Sequence, residues 1–550
     1  MQVRFGHTSR SEHQSLMLPV LHNPARLNCI RKCQEQLAYL LLSAQSLSRA
    51  FTFGKWEYSI DLLDAPKFCL ACSTSSITMV NCSELQESSR PQRYLIRRPK
   101  ALQWFHNSTL IKDTEEERQA GRFELFLDLL YVALVANFSD DLSEHPDGAH
   151  LLRYVLIFAP AWHIWADLRE IMNSYYTDDI IQRLVILFVM AMLVLYGNNA
   201  NLVDEVGEEG ASVGLSATRT AAGAYVVARF TTMCVFLISS FASHQHRVQA
   251  RILAGCMFLG LWLTVPLFCE SVSLHGKVAV VVVIIVYNEA TWAITLSPWI
   301  KRRLRLTYST AVDIAHEVDR MAAFFIIILG EFVYSIIVGD PAGIGLSKGY
   351  AKAVATLIIA FCLNWIYVTG DGSLQSTHPI RRSAWTAFAF FLLHLPLAMS
   401  FLIGGHISAI SVRLDEFEGG QRWLLGAGLG IGMFCLWVFG MLFRSEDDGE
   451  LIMPRWLRIG MRLVVAVVLI ALPDTHEHLT TTEFVMTVMA LFALVTLWET
   501  VGGLLRGASL YERWEDRHPP KTDLVERAER SDGPSRGQAQ FSDASVQSPK

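Results

Sequence analysis

The sequence predicts an all-α fold: a polytopic transmembrane helix bundle of about twelve helices, arranged as two parallel six-helix repeats. Three observations point there. The chain is 52% hydrophobic and only 18% charged, whereas soluble domains carry about 25% charged residues. Charge is dense in residues 1–122 and 506–550, which leaves long apolar stretches between them. Basic and acidic connections alternate from one apolar stretch to the next.

A spanning helix needs about 20 mostly apolar residues. Such stretches run over 123–138, 151–168, 182–203, 221–242, 251–272 and 277–297. Six more follow at 321–338, 349–370, 384–404, 424–443, 456–473 and 483–505. The first and seventh are short, which predicts that one or both are broken or tilted. One set of connections holds Arg169 and Arg183; Arg247 and Arg251; Lys301, Arg302, Arg303 and Arg305; Arg381 and Arg382; and Arg444, Arg455, Arg458 and Arg462. The positive-inside bias puts that set in the cytosol. The opposite set is acidic or sparse, with Asp140, Asp141, Glu144 and Asp147, then Asp204, Glu205, Glu208 and Glu209, and finally Asp474 and Glu477. Both termini are therefore expected in the cytosol, with the chain in the plasma membrane or an endomembrane.

Residues 1–120 form an expected cytosolic extension, partly disordered, and the polar, Ser- and Pro-rich residues 507–550 an expected disordered tail. No signal-peptide pattern begins the chain, so an internal helix is expected to start insertion. Cys29, Cys33, Cys69, Cys72 and Cys82 cluster in the extension. Their spacing matches no familiar zinc pattern, and reduced thiols are expected there. No cofactor and no metal site is expected. The small net charge of -5 and the lack of a basic stripe with aromatics exclude a nucleic-acid partner.

The two halves, 121–310 and 311–506, echo each other at an offset of about 200 residues. Arg122-x3-Phe126 is matched by Arg320-x3-Phe324, LIFAPAWHIW from Leu156 by LIIAFCLNWI from Leu357, and Asn288-Glu289 by Trp498-Glu499. An even number of helices per copy gives both copies one orientation, and such repeats place binding sites near their interface.

Three stretches carry a resemblance to a family. They are FELFLDLLYVALVANFSDDL from Phe123, the pair Tyr225 and Arg229, and HEVDRMAAFFIIILGEFVYSIIVG from His316. Over residues 120–505 the chain resembles the low-temperature-requirement A (LtrA) membrane proteins, a resemblance that implies a membrane protein and no particular activity. Arg122-x3-Phe126-Leu127-Asp128 also resembles the R-x3-F-S-D signature of the endolysosomal potassium channels, with Leu127 in place of the serine and Ile326 where the second copy would carry the aspartate.

An ionisable residue deep in lipid costs about 3 kcal/mol or more and is a functional candidate by default. Asp128, Arg229, Glu289, Glu331 and Glu499 fall well inside predicted spans. Asp167 and Glu270 lie nearer helix ends, within reach of headgroups. On the seventh helix Asp313, Glu317, Arg320, Phe324, Glu331 and Tyr334 follow a three-four spacing and predict one polar seam, with Gly330 admitting a neighbouring helix. Arg229 is expected to pair with Asp128 or Glu331, and His163 to relay protons with Asp167 or simply to sit buried. Trp162, Trp165 and Arg169 read as packing and an interfacial anchor. Gly426, Gly428, Gly430 and Gly432 read as a close-packing surface.

No G-x-S-x-G or H-E-x2-H motif occurs, so an enzyme is not expected. The expected function is a transporter or channel for a small cation or a proton-coupled solute. Asp128, Glu289, Glu331 and Glu499 would line the path, with Arg229 and Arg320 as counter-charges. The alternatives are a non-transporting membrane sensor or scaffold and an intramembrane enzyme. The expected partners are the bilayer, a small cation or proton, and a second copy of the chain.

Overall fold

The computed structural model describes residues 68–73, 76–81, 94–107, 109–113, 121–203, 210–338, 345–373, 376–446, 451–475 and 479–507. The chain divides into two units, residues 1–93 and 94–550. In the first, an antiparallel hairpin pairs β1 (Phe68–Ser73) with β2 (Ser76–Asn81), Phe68 opposite Asn81. Cys29, Cys33 and Cys82, and the side chains of Cys69 and Cys72, lie outside the described residues.

The second unit holds twelve long helices among the described residues. They are α1 (Arg122–Glu144), α2 (Gly148–Tyr175), α3 (Ile180–Ala200), α4 (Gly210–Ala242), α5 (Arg247–Trp262) and α6 (Leu274–Leu296), followed by α7 (Ile314–Ile337), α8 (Lys348–Val368), α9 (Ala384–Ile410), α10 (Gly419–Leu442), α11 (Arg455–Thr475) and α12 (Thr481–Gly502). Short polar residues start many of them. Asp147, Asp179, Ser273, Asp313, Ser347 and Ser383 each accept a first-turn backbone N–H, and Thr480 and Glu483 form a capping box. Neither short helix is broken: α1 and α7 run unbroken for 23 and 24 residues, which leaves tilt as the other expected accommodation. They extend beyond their apolar windows because the charged residues at their ends are matched by neighbouring helices.

Nine of the described helices are long and apolar enough to cross a membrane by length and composition. The other three long ones, α1, α2 and α7, each carry several buried charges, among them Glu124 and Asp128, Asp167 and Arg169, and Glu317 and Arg320. The outward faces are apolar: Leu184, Leu187 and Phe188 on α3, Phe230 and Ile238 on α4, and Val464 and Val467 on α11 all stay exposed. A surface of that kind is costly in water and suits lipid. By contrast α2 is buried without interruption from Ile157 to Tyr175 and forms the central strut.

The helix neighbours recur between the two sets of six. In the first set α1 touches α2 and α3, α2 touches α3 and α6, and α3, α4, α5 and α6 pack in sequence; α7 to α12 repeat each of these relations. The recurrence supports the proposed tandem repeat. It is imperfect, since α2 also packs on α4 and α9 reaches across to α1, α2 and α6. The matched motifs also differ in setting. Arg122 and Phe126 are exposed on α1, while Arg320 and Phe324 are buried on α7.

Glycine decides the packing of the second set. A Cβ at Gly426 or Gly430 would stand 2.7 or 2.9 Å from the Leu469 or Ala466 carbonyl of α11. At Gly432 it would meet the Phe401 ring of α9 at 2.3 Å, and at Gly428 the Ser400 carbonyl at 3.1 Å. One glycine pair thus admits α11 and the other α9, as the spacing predicts. Gly330 differs: nothing lies within 4 Å of its would-be Cβ, and it admits no neighbour.

Small strands sit at the basic ends of the bundle. β3 (Gln103–His106) is flanked by β4 (Thr109–Lys112) and by β5 (Tyr308–Thr310), which follows α6. His246, at the start of α5, bonds the Gln103 carbonyl at 2.9 Å and ties the α4–α5 turn to this sheet.

Candidate functional site

The buried charges of the bundle fall into four groups. The first joins α1, α2 and α7. Arg320 donates through Nη2 to Asp128 Oδ1 at 2.9 Å, and Trp165 Nε1 donates to the same oxygen at 2.8 Å. Glu124 meets His316 Nε2 at 2.8 Å. One turn further along α2, Arg169 Nε pairs with Glu317 Oε1 at 2.6 Å and Asn173 donates to Glu317 Oε2 at 3.0 Å. Asn173 also receives the Asp313 backbone N–H at its Oδ1. Arg169 thus ties the halves through Glu317, and Trp165 packs on the Phe324 ring of α7 at 4.7 Å, so both are internal rather than interfacial anchors. Tyr334 is exposed, so the polar seam of α7 ends before it.

The second group lies within the first set of helices. Arg229 on α4 pairs with Asp167 Oδ2 at 2.7 Å, not with Asp128 or Glu331, and Thr232 donates to the same oxygen at 2.9 Å. Asp167 is therefore fully internal rather than within reach of headgroups. Arg229 Nη2 also donates to Asn288 Oδ1 at 2.8 Å. A guanidinium only donates, so this bond fixes the amide orientation of Asn288 and leaves its NH2 facing Tyr225 Oη at 3.0 Å and His163 Nδ1 at 3.3 Å. His163 Nδ1 must then accept, which puts the imidazole proton on Nε2, 3.2 Å from Glu289 Oε1. One unbroken chain, Tyr225–Asn288–His163–Glu289, follows. His163 is thus a buried, hydrogen-bonded member of this chain, with bonds to Asn288 and Glu289.

Two cavities meet that chain from opposite ends. A cavity of about 500 Å³ lies between α2, α6, α9 and the short helix Pro298–Arg303 at the basic end, and it is lined by His163 and Glu289 among others. A smaller one of about 120 Å³ lies between the other ends of α2, α4 and α6, and Tyr225 lines it. On α6 the two linings are Ile284 and Glu289, five positions apart, or about 7.5 Å along a helix.

The third group belongs to the second set of helices. Glu499 on α12 is gripped by Arg462 of α11 through two bonds, 2.6 Å from Nε and 2.7 Å from Nη2. Arg462 Nη1 also donates to the Leu436 carbonyl at 2.9 Å. Near the basic end Arg455 Nε pairs with Asp371 Oδ2 at 3.0 Å, and Arg382 donates to the last carbonyls of α10. Basic residues read as orientation signals thus also cap a helix C-terminus.

The fourth group is at the acidic end, where His406 Nε2 meets Asp140 Oδ1 at 3.0 Å and its Nδ1 lies 3.8 Å from Glu331 Oε1. Glu331 therefore sits apart from the chain that joins the cavities. Glu270 pairs with exposed Arg219 at 2.8 Å.

Of the four acids that fall well inside predicted spans, Asp128 pairs with Arg320 and Glu499 with Arg462, while Asp167 and Glu317 pair with Arg229 and Arg169. Glu289 and Glu331 face histidines instead. Residue-type reasoning passed over Arg462 and Asn288 as partners. Arg462 follows Arg458 by one helical turn into an apolar run, which is the signal that it points inward rather than to a loop.

Long helices with apolar outer faces and internally matched charge define an integral, multi-pass membrane protein. A family described as "Bacterial low temperature requirement A protein (LtrA)" matches residues 119–501, and the chain belongs to that family. Neither among curated proteins nor among solved structures is a match found.

Proposed function

We propose that the protein is a transporter for a small cation or a proton-coupled solute, with the route passing through the first six helices. The observation that carries this reading is the pair of cavities, one lined by His163 and Glu289 and the other by Tyr225, with the hydrogen-bonded Tyr225–Asn288–His163 chain running from one lining to the other. A site approached from both sides is what alternating access requires.

The chain also contains a means of coupling to protons. His163 Nδ1 accepts from the Asn288 amide in the present arrangement. A proton added at Nδ1 would face that NH2 group donor to donor. Relief requires Asn288 to turn, which breaks its bonds to Arg229 Nη2 and Tyr225 Oη. Protonation would thereby loosen the contacts that join the two linings, with Glu289 stabilising the imidazolium through Nε2.

Purified protein in liposomes loaded with a pH-sensitive dye tests this reading. Wild-type protein should carry protons or a cation across the bilayer, and both His163→Ala and Glu289→Gln should stop the flux in protein that remains folded. Wild-type silence toward protons, potassium and sodium, or unchanged flux in both variants, would favour the sensor or scaffold reading. That second reading draws support from the arginine pairing of most buried acids.

A further inference from the structure

The larger cavity carries its charges in a definite order. Its inner lining holds Glu289 and buried His163, with Trp162 and Trp292 in the same lining and Arg169 held by Glu317. Its rim holds Lys301 and Arg302 together with Trp299 and Trp385, the last 80% exposed. Glu289 keeps 23% of its side chain accessible although it lies in a membrane helix. Lys301 makes no ion pair among the described residues. Its ammonium bonds the Thr310 carbonyl at 3.2 Å and sits 5.5 Å from the Phe105 ring centroid. Among the described residues the rim therefore offers a cation with no counter-charge, and the inner lining a carboxylate that faces the His163 imidazole.

We infer that this cavity takes a zwitterion with an apolar body, its ammonium end placed at Glu289 between the tryptophans and its acidic end at Lys301 and Arg302. The assignment rests on the transport reading only for its consequence, since it names the solute class that the same cavity would load. Three features of the ligand follow from three features of the wall. The ammonium is held by a carboxylate and by aromatic faces, which attract cations. The body is held by the aromatic lining, within a volume of about 500 Å³. The trailing acid neutralises a rim that would otherwise repel a simple cation on entry. A zwitterion also crosses such a site without adding net charge.

The test is binding to the purified full-length protein in lipid nanodiscs, read by tryptophan fluorescence, with three probes of equal chain length: 8-aminooctanoate, octylamine and octanoate. The zwitterion should bind about tenfold more tightly than either single-ended probe, the effect of one additional charge-assisted bond. Glu289→Gln should reduce the zwitterion to the affinity of octanoate, and Lys301→Met should reduce it to the affinity of octylamine. Lys301 lies outside the helical core, so Lys301→Met keeps the test valid if Glu289→Gln should fail to fold. Octanoate binding as tightly as the zwitterion would overturn the assignment in favour of amphipathic anions. Octylamine doing so, with Lys301→Met neutral, would overturn it in favour of organic amines. No saturable binding by any probe would overturn it outright. Flux without probe binding removes this ligand class and leaves the transport reading standing; binding without flux does the reverse.

Discussion

The first six helices and the last six share their neighbour pattern, yet the acids Glu289 and Glu499 stand in contrasting surroundings. In α7–α12 the buried acid Glu499 is closed off by two bonds from Arg462, and glycines draw α9, α10 and α11 so close that a Cβ at Gly426, Gly430 or Gly432 would clash. In α1–α6 the polar groups are linked in a chain, and cavities open at both of its ends. A buried ion pair surrounded by dense packing is a structural element, because neither partner can change its state without leaving the other unpaired. A histidine and a carboxylate beside a cavity are free to exchange a proton or a ligand. The setting of a membrane charge, more than its presence, tells the two cases apart.

That division can be broken most directly at Arg462. Arg462→Met should destabilise the protein by about 3–5 kcal/mol, since it strands Glu499, and it should visibly lower the melting temperature in detergent. Glu289→Gln, beside the cavity, should shift stability by less than about 1 kcal/mol while abolishing flux. If the two variants melt together, the distinction between a sealed and an open half is wrong.

The glycine rows give the next effect. Gly432→Val forces a branched side chain into the Phe401 ring and should cost about 1–3 kcal/mol, or more if α9 cannot shift. In α4 a Cβ at Gly223 meets nothing within 4 Å. Gly223→Ala should therefore raise stability by up to about 1 kcal/mol through helix propensity alone. Thermal unfolding of the two variants side by side decides whether close packing is confined to the second set.

A smaller effect should appear with pH at the basic ends of both sets. Burial holds the His246 imidazole down at about 4 from the usual 6.5, helped by Lys301 and opposed by its bond to the Gln103 carbonyl. His378 is likewise held at about 4, by burial and by Arg381. The unfolded chain takes up these protons near pH 6.5 and the folded chain only near 4. Their contribution to stability is thus complete above about pH 6.5 and is lost as pH falls toward 4. His246→Gln should flatten that acid limb, and an unchanged slope would remove His246 from the account. The smallest effect is expected at the exposed pair Arg219–Glu270, where Glu270→Gln should leave melting, flux and probe binding unchanged.

Much of this bundle is legible in the chain itself. Apolar run length finds all twelve helices, the alternation of basic and acidic connections orders their ends, and Gly426 to Gly432 announce a close-packing face. Asp128, Glu289 and Glu499 stand out because charge in an apolar run is rare. Their partners do not stand out. Arg462 reads as one more loop arginine, Asp167 as a helix-end acid and Asn288 as half of a repeat motif, because the pairing depends on which helices are neighbours across long sequence separations, 37 residues for Arg462–Glu499 and 59 for Arg229–Asn288. Gly330 misleads for the same reason: spacing shows which face a glycine is on, not whether another helix lies against that face.

What the sequence by itself determined is the membrane class, the number of helices, the expected orientation and the family. All of these follow from local hydropathy, charge and motif order. Only the tertiary structure decided which buried charges are sealed and which face a cavity. Ion pairing and cavity shape are long-range properties, set when α2 packs against α4 and α6 and when α10 packs against α9 and α11.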